Sequence, residues 1–267
     1  MTETVVEQQV AARLPEDYAD FLLPFLDRRS THLLDVGCGD GALSLGLAAC
    51  CARVTAVDLD PEEFRAAQAF AEARRLEVVF EEGDATRLTH ADETFDAVLA
   101  HSVLEAGPVP ARVLAEAHRV LRPDGRVGVA SVEYGGLVLA GPEVDLLRRS
   151  NTIRERLWQL GSADPFLGRE LRRLLGEAGF VDVEATTKAF SYGTPTRVRA
   201  FAAGRGAECA DEEHVAHAVE AGLATPDELA AMADAWAAWG ASPASYAAFT
   251  WCRAVGRKPM ADEEGPR

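Results

Sequence analysis

The chain has 267 residues, 48% of them hydrophobic, which suffices for one large α/β domain with elaborations and excludes global disorder. Its formal net charge of -16 repels nucleic acid and anionic membrane surfaces, so neither is expected as a partner. No apolar run approaches the roughly 18 residues of a membrane span, and Met1 to Asp20 is polar without an apolar signal core, so a cytoplasmic protein is expected.

Residues 5 to 29 read as helical, broken near Pro15 because proline removes an amide donor and clashes with the turn before it. The pattern then shortens. His32 to Val36 is a buried strand, closed by Gly37-Cys38-Gly39-Asp40-Gly41, and Ala42 to Cys51 is a compact apolar helix. Arg53 to Asp58 is the second strand. Pro61 suits the first turn of a helix running to about Arg74. Glu77 to Phe80 is a third strand, and Phe95 to His101 a fourth. A helix with Val113, Leu114, Ala117, Val120 and Leu121 on one face leads to the turn Arg122-Pro123-Asp124-Gly125, and Arg126 to Val132 is a fifth strand. Such short alternation of strand and helix reads as a doubly wound, mostly parallel sheet.

The later half is more helical. Pro142 to Leu160 and Leu167 to Glu177 read as helices, Val181 to Phe190 as a sixth strand, and Tyr246 to Val255 as a last strand able to pair antiparallel at one edge. Between those strands, residues 194 to 240 read as helical, with breaks near Gly204–Gly206 and Gly222. Residues 259–267 read as a frayed tail. The five cysteines are odd in number and match no zinc spacing, so reduced thiols are expected. His214 and His217 stand among carboxylates on what reads as a solvated face, and no metal is expected.

Three segments carry chemistry, each just past a strand. In Leu34-Asp35-Val36-Gly37-Cys38-Gly39-Asp40-Gly41 the glycines let the backbone turn sharply and approach a ligand. The spacing is not the G-x-G-x-x-G of a dinucleotide site. An acid beside the turn suits a ligand with an ammonium group and does not suit a pyrophosphate. Asp58 closes the second strand, where a carboxylate can accept both ribose hydroxyls; Asp60, before Pro61, is the better helix cap. Gly83-Asp84-Ala85 offers a carboxylate for an adenine amino group and an amide for a ring nitrogen.

In this order the segments resemble class I methyltransferases that depend on S-adenosylmethionine (SAM), in the branch that includes ubiquinone/menaquinone-biosynthesis and many natural-product enzymes. Val57-Asp58, Glu82 to Ala85, Phe95 to Val98, His101-Ser102-Val103-Leu104-Glu105 and the run EAHRVLRPDG from Glu116 to Gly125 carry the same likeness. Ala106 stands where many relatives have a second histidine.

The resemblance implies a Rossmann-like sheet with an N-terminal helical lid over 1–30 and a SAM-binding domain over 31–258. Helical cap elements are expected over 137–165 and 194–240, the second of them an insertion before the last strand. It implies SAM as cofactor and S-adenosylhomocysteine (SAH) as product, held by Asp35, Gly37, Cys38, Gly39, Gly41, Asp58, Leu59, Asp84, Ala85 and His101.

His101 is the candidate base or positioning group, and Glu105 either orients substrate or caps the next helix. Tyr18, from the lid, and Tyr134, Trp158 and Tyr192 are candidates for the acceptor side; Phe190, Trp236, Trp239 and Trp251 are further possible lining. The expected acceptor is a small molecule, methylated on O, N or C, near His101 and Tyr134, and a homodimer is possible. The Ala- and Arg-rich composition suggests a GC-rich bacterial genome, where secondary metabolism is a natural setting. The rival readings are a cyclisation or isomerisation on the same fold, a SAM-sensing protein, and a dinucleotide-dependent oxidoreductase.

Overall fold

The computed structural model describes residues 13–263. Residues 1–12, which include the first part of the expected lid, lie outside the described residues. The remainder is not one helix. It forms a single turn, α1 (Pro15–Tyr18), and a 3₁₀ turn, Leu23–Phe25, because Pro15 and Pro24 each start a new turn and interrupt the one before.

Strands β1 (His32–Val36), β2 (Arg53–Asp58), β3 (Val78–Glu82) and β4 (Phe95–His101) form ladders with parallel registers. Helices α2 (Ala42–Leu47) and α3 (Pro61–Arg74) connect β1 to β2 and β2 to β3, β3 runs to β4 without a helix, and α4 (Pro110–Val120) follows β4. Asp60 caps α3 as its position before Pro61 suggests, accepting the Glu62 amide at 2.9 Å. Such a cap is worth about 1 kcal/mol.

Next come β5 (Leu121–Ala140), α5 (Val144–Leu160), α6 (Leu171–Glu177), β6 (Val181–Tyr192), α7 (Pro195–Ala210), α8 (Glu212–Glu220), α9 (Pro226–Ala241) and β7 (Tyr246–Arg257). The seven strands run in the order β3-β2-β1-β4-β5-β7-β6, mostly parallel with antiparallel last strands. The expected doubly wound α/β sheet is the one found.

The turn at Arg122–Gly125 sits inside a strand. Phe95 pairs with Leu121 and Ala97 with Arg126, so these residues bulge out opposite Asp96, and Asp124 takes a φ of +65°. The strand then continues to Ala140, well past the expected Val132. The tail is held as far as Glu263, which accepts the Met260 amide at 2.9 Å and pairs with Arg257 at 2.7 Å.

The chain divides into two compact units. Unit 1 is Met1–Ser131, Leu167–Thr186 and Cys252–Arg267; unit 2 is Val132–Phe166 and Thr187–Trp251. The expected cap segments 137–165 and 194–240 both fall in unit 2, together with parts of β5, β6 and β7. The described part of the expected lid belongs to unit 1, with Ala19 and Leu22 wholly buried in one cluster with Leu33, Val54 and Leu99. In unit 1, α4 buries Val113, Leu114, Ala117 and Val120 against Val98, Val127, Val129 and Leu175. Each such large side chain is worth about 1.5–3 kcal/mol.

Unit 2 has its own core. Trp236 and Trp239 are wholly buried there, their indole N–H groups donating to Ser150 Oγ at 2.9 Å and to the Ala140 carbonyl at 2.8 Å. They are core residues and not pocket lining. Among the described residues no helix is long and apolar enough to cross a membrane.

Candidate active site

The parallel register brings four strand ends to one level: Val36 pairs with Val57 and Ala100, and Asp58 with Glu82. The loops after β1, β2, β3 and β4 therefore share one edge of the sheet, where ligands of open α/β sheets bind. A cleft of about 390 Å³ lined by Asp92, Glu93, His118 and Arg119 is not this site, because Asp92 and Glu93 precede β4 and lie at the opposite end of the strands.

The β1 loop is built from its glycines. Gly37, Gly39 and Gly41 have φ of +70°, +52° and +72°. The Gly37 and Cys38 amides both donate to the Val57 carbonyl, at 2.7 and 3.1 Å. A Cβ on Gly41 would stand 2.6 Å from the Phe80 ring and 2.7 Å from Ala67, whereas one on Gly39 would meet nothing within 4 Å. Gly39 thus faces open space and Gly41 faces the core. Gly41→Ala is expected to lose about 3 kcal/mol from backbone strain plus overpacking, and Gly39→Ala only about 1–2 kcal/mol from strain alone. Urea unfolding of the two variants checks this.

Asp58 ties the site together. Its Oδ2 accepts the Gly39 amide at 2.7 Å and its Oδ1 the Asp60 amide at 3.2 Å, while its carbonyl accepts the Gly83 amide at 2.8 Å. One residue so links the loops after β1, β2 and β3. Leu59, beside it, is 69% exposed, an uncovered apolar side chain next to a polar anchor.

Asp35 is 2% exposed and accepts the Ser44 hydroxyl at 2.5 Å through Oδ2. Burial, and to a lesser degree the charge of Asp58, pushes its carboxyl up to about 6; the Ser44 hydrogen bond and Arg13 pull the other way. Cys38 meets the loop through its backbone and through its thiol, which donates to the Gly39 carbonyl at 3.9 Å. Its side chain packs with Phe64 and Phe80, and burial raises its thiol far above the usual range, leaving it inert.

Asp84 is exposed and uses one oxygen locally, Oδ1 accepting the Thr86 amide and hydroxyl at 2.8 Å each. These bonds hold its carboxyl below the usual range and leave Oδ2 facing solvent. The segment that follows is clamped from α4. Glu116 Oε2 accepts the Leu88 amide at 2.8 Å, and Arg119 donates to the carbonyls of Leu88 and His90 at 3.0 and 2.8 Å and to Glu116 and Asp92. The EAHR run therefore fixes the β3–β4 connection. Arg119→Ala is expected to lower stability by about 2 kcal/mol, which calorimetric melting would show as a fall of roughly 4–8 °C.

His101 is the last residue of β4, with Nδ1 3.4 Å from Ser102 Oγ and the Tyr18 ring edge-on at 5.6 Å. Burial first, and the Arg13 charge second, hold the imidazole down at about 4, so it is neutral at pH 7 and a weak base. That favours a positioning role over proton removal. Glu105 is buried and accepts the Ser131 hydroxyl at 2.6 Å. Sequence reasoning missed Arg13, a lone cation in a polar segment. It lies 4.0 Å from Asp40, and its charge acts on both Asp35 and His101.

Of the acceptor-side candidates, unit 2 gathers three. Tyr134 meets Trp158 at 5.4 Å and Phe249 at 5.6 Å, and Tyr192 joins through Phe249 at 6.4 Å and Phe201 at 4.5 Å. Trp251 and Phe166 pack on the same cluster. Tyr18 belongs to unit 1 with His101.

Residues 34–129 match the family model described as a methyltransferase domain. The chain is 31% identical over 185 residues to an uncharacterized 37.1 kDa protein in transposon TN4556 of Streptomyces fradiae, covering 66% of this chain and 51% of that protein. It is 33% identical over 115 residues to a ubiquinone biosynthesis O-methyltransferase of Xanthomonas oryzae pv. oryzae, covering 42% of this chain and 48% of that one. The chain thus spans about half the length of these relatives. Among solved structures it resembles the [4+2]-cyclase SpnF, with a TM-score of 0.52 and 24% identity over 97% of this chain and 82% of that one.

Proposed function

From a chain whose residues 34–129 are a methyltransferase domain of the class I, SAM-dependent kind, we propose an enzyme that moves a methyl group from SAM to an oxygen, nitrogen or carbon of a small molecule, with SAH as product. The observation that carries this reading is Asp58, a strand-end carboxylate bonded to the amide of a left-handed glycine that faces open space. The carboxylate has lone pairs left for two ribose hydroxyls. Asp35 and the Gly37–Gly41 loop hold the methionine ammonium, and Arg13 its carboxylate. Leu59 covers the adenine face, while Asp84 Oδ2 takes the adenine amino group and the Ala85 amide a ring nitrogen.

Bound SAM supplies an electrophilic methyl on a sulfonium. The protein's part is positioning and exclusion of water, worth several kcal/mol of barrier when the approach is in line. A neutral His101 fits that part: it adds no positive charge beside the sulfonium and orients through its hydrogen bonds. A small acceptor, such as a natural product, agrees with a chain of net charge -16.

A second reading is favoured by the likeness to a cyclase over nearly the whole chain. There the same ligand would be held and not consumed.

Calorimetric titration with SAM, SAH and NAD tests the premise. SAM and SAH are expected to bind and NAD not, with Arg13→Ala weakening SAH about tenfold, the worth of one charge-assisted pair. Absence of SAM and SAH binding sinks the reading. Transfer of labelled methyl to an acceptor separates the transferase from the cyclase.

A further inference from the structure

Arg154, on α5 of unit 2, is held by two rings and a carboxylate and remains partly exposed. Its guanidinium lies over the Tyr134 ring at 5.0 Å and the Trp158 ring at 5.2 Å. Its Nε stands 3.1 Å from Glu208 Oε1, and its side chain is 22% exposed. Glu208 is fixed in turn: its Oε2 accepts from Nη1 of the buried Arg205, whose Nη2 donates to the buried Asn151 at 2.8 Å. The Nε of Arg154 is buried and its contact with Glu208 is an ion pair without a hydrogen bond, while the two terminal nitrogens, which carry most of the N–H donors, bond no acceptor among the described residues.

The two ring faces and the ion pair hold the guanidinium in place and leave its terminal fork without an acceptor among the described residues. Its parallel N–H groups match the two oxygens of a carboxylate. The charge is also uneven, because Glu208 is shared between Arg154 and Arg205. Glu155 lies in the same field but makes no ion pair among the described residues, and burial holds its carboxyl toward the neutral form. Tyr134 and Trp158, the rings beneath the guanidinium, belong to an aromatic cluster with Phe166, Tyr192 and Phe249, of which Trp158, Phe166 and Tyr192 are only partly buried. Aromatic surface beside a cation suits a flat molecule with one anionic group.

We propose that Arg154 anchors a binding site in unit 2 for a planar ligand that carries a carboxylate. The site does not rest on the methyltransferase reading.

The experiment titrates the full chain with 2-naphthoate and with methyl 2-naphthoate, followed by tryptophan fluorescence and calorimetry, with SAH titrated in parallel. The acid is expected to bind at least tenfold more tightly than the ester. Arg154→Met is expected to abolish that preference while ester binding and the melting temperature stay. Arg154→Lys, which keeps the charge and loses the fork, is expected to retain part of the preference and serves if the Met variant does not fold. Equal binding of acid and ester, an unchanged preference in both variants, or no naphthoate binding at millimolar concentration overturns the proposal. A wild-type chain that prefers the acid and ignores SAH keeps the site and removes the methyltransferase reading.

Discussion

Asp58→Ala is expected to weaken SAH binding by two to four powers of ten. A carboxylate that accepts two ribose hydroxyls makes two charge-assisted bonds, each worth about 1.5–3 kcal/mol, so their loss amounts to roughly 3–6 kcal/mol. The same carboxylate orders the glycine loop before any ligand arrives, through Gly39 at 2.7 Å and Asp60 at 3.2 Å. The alanine variant therefore loses both the contacts and the preorganisation of the loop that makes them. Asp58→Asn separates the two, because its amide oxygen can keep one loop bond while the charge is gone; about a tenfold loss is expected for it. Both variants should melt within a few degrees of the parent, since one loop bond is part-buried, the other exposed, and each is worth about 1 kcal/mol or less. Calorimetry of the three proteins with SAH reads the series directly. An alanine variant that binds SAH within threefold of the parent would remove Asp58 from the ribose site.

The site of unit 1 is legible in the sequence because each strand end joins a buried run to a residue with a distinct backbone or charge. Leu33 to Val36 before Gly37, Val54 to Val57 before Asp58, and Ala97 to Ala100 before His101 are short patterns that need no tertiary information. Unit 2 is less legible because its glycines serve packing. Gly204 and Gly206 read as helix breakers, yet α7 runs unbroken from Pro195 to Ala210. A Cβ on Gly206 would stand 3.5 Å from Trp236, and one on Gly240 only 2.7 Å from Ala202. These small residues let α7 and α9 approach closely, a contact between segments far apart in sequence. The same distance hides the cores of Trp236 and Trp239, which read locally as aromatic lining. The length of β5 is hidden too: Gly135 and Gly136 suggest a stop, whereas Gly136 leaves room for Thr250, whose hydroxyl donates to the Gly136 carbonyl at 3.3 Å. Arg13 has no pattern around it, and only the fold sets its charge near Asp35 and His101.

Asp35→Asn is expected to make the ligand-free protein more stable at pH 7.5 and to make it bind SAM worse. In the folded chain burial raises the Asp35 carboxyl from an ordinary 3.8 to about 6, so the folded state holds this proton more tightly than the unfolded state does. Stability from this group is therefore greatest below pH 4. It falls by about 1.4 kcal/mol for each unit between pH 4 and pH 6, and above pH 6 the whole penalty of about 3 kcal/mol is present. Asparagine carries no charge to bury and can still accept the Ser44 hydroxyl. At pH 7.5 the variant should melt roughly 5–10 °C higher, and at pH 4 the two proteins should melt together. A penalty of that size is retained only where the charge is used, and the proposed use is the methionine ammonium. A cation bound there pulls the carboxyl back down, so SAM binding to the parent releases a proton between pH 4 and pH 6, and affinity drops up to tenfold per unit below pH 6. Titrations in two buffers of different ionisation heat would count that proton. The variant should bind SAM about 10–100-fold less tightly, with no proton release of this origin. If the variant gains no stability at pH 7.5, Asp35 is not a strained anion. If it gains stability but binds SAM unchanged, the strain serves something other than the ammonium.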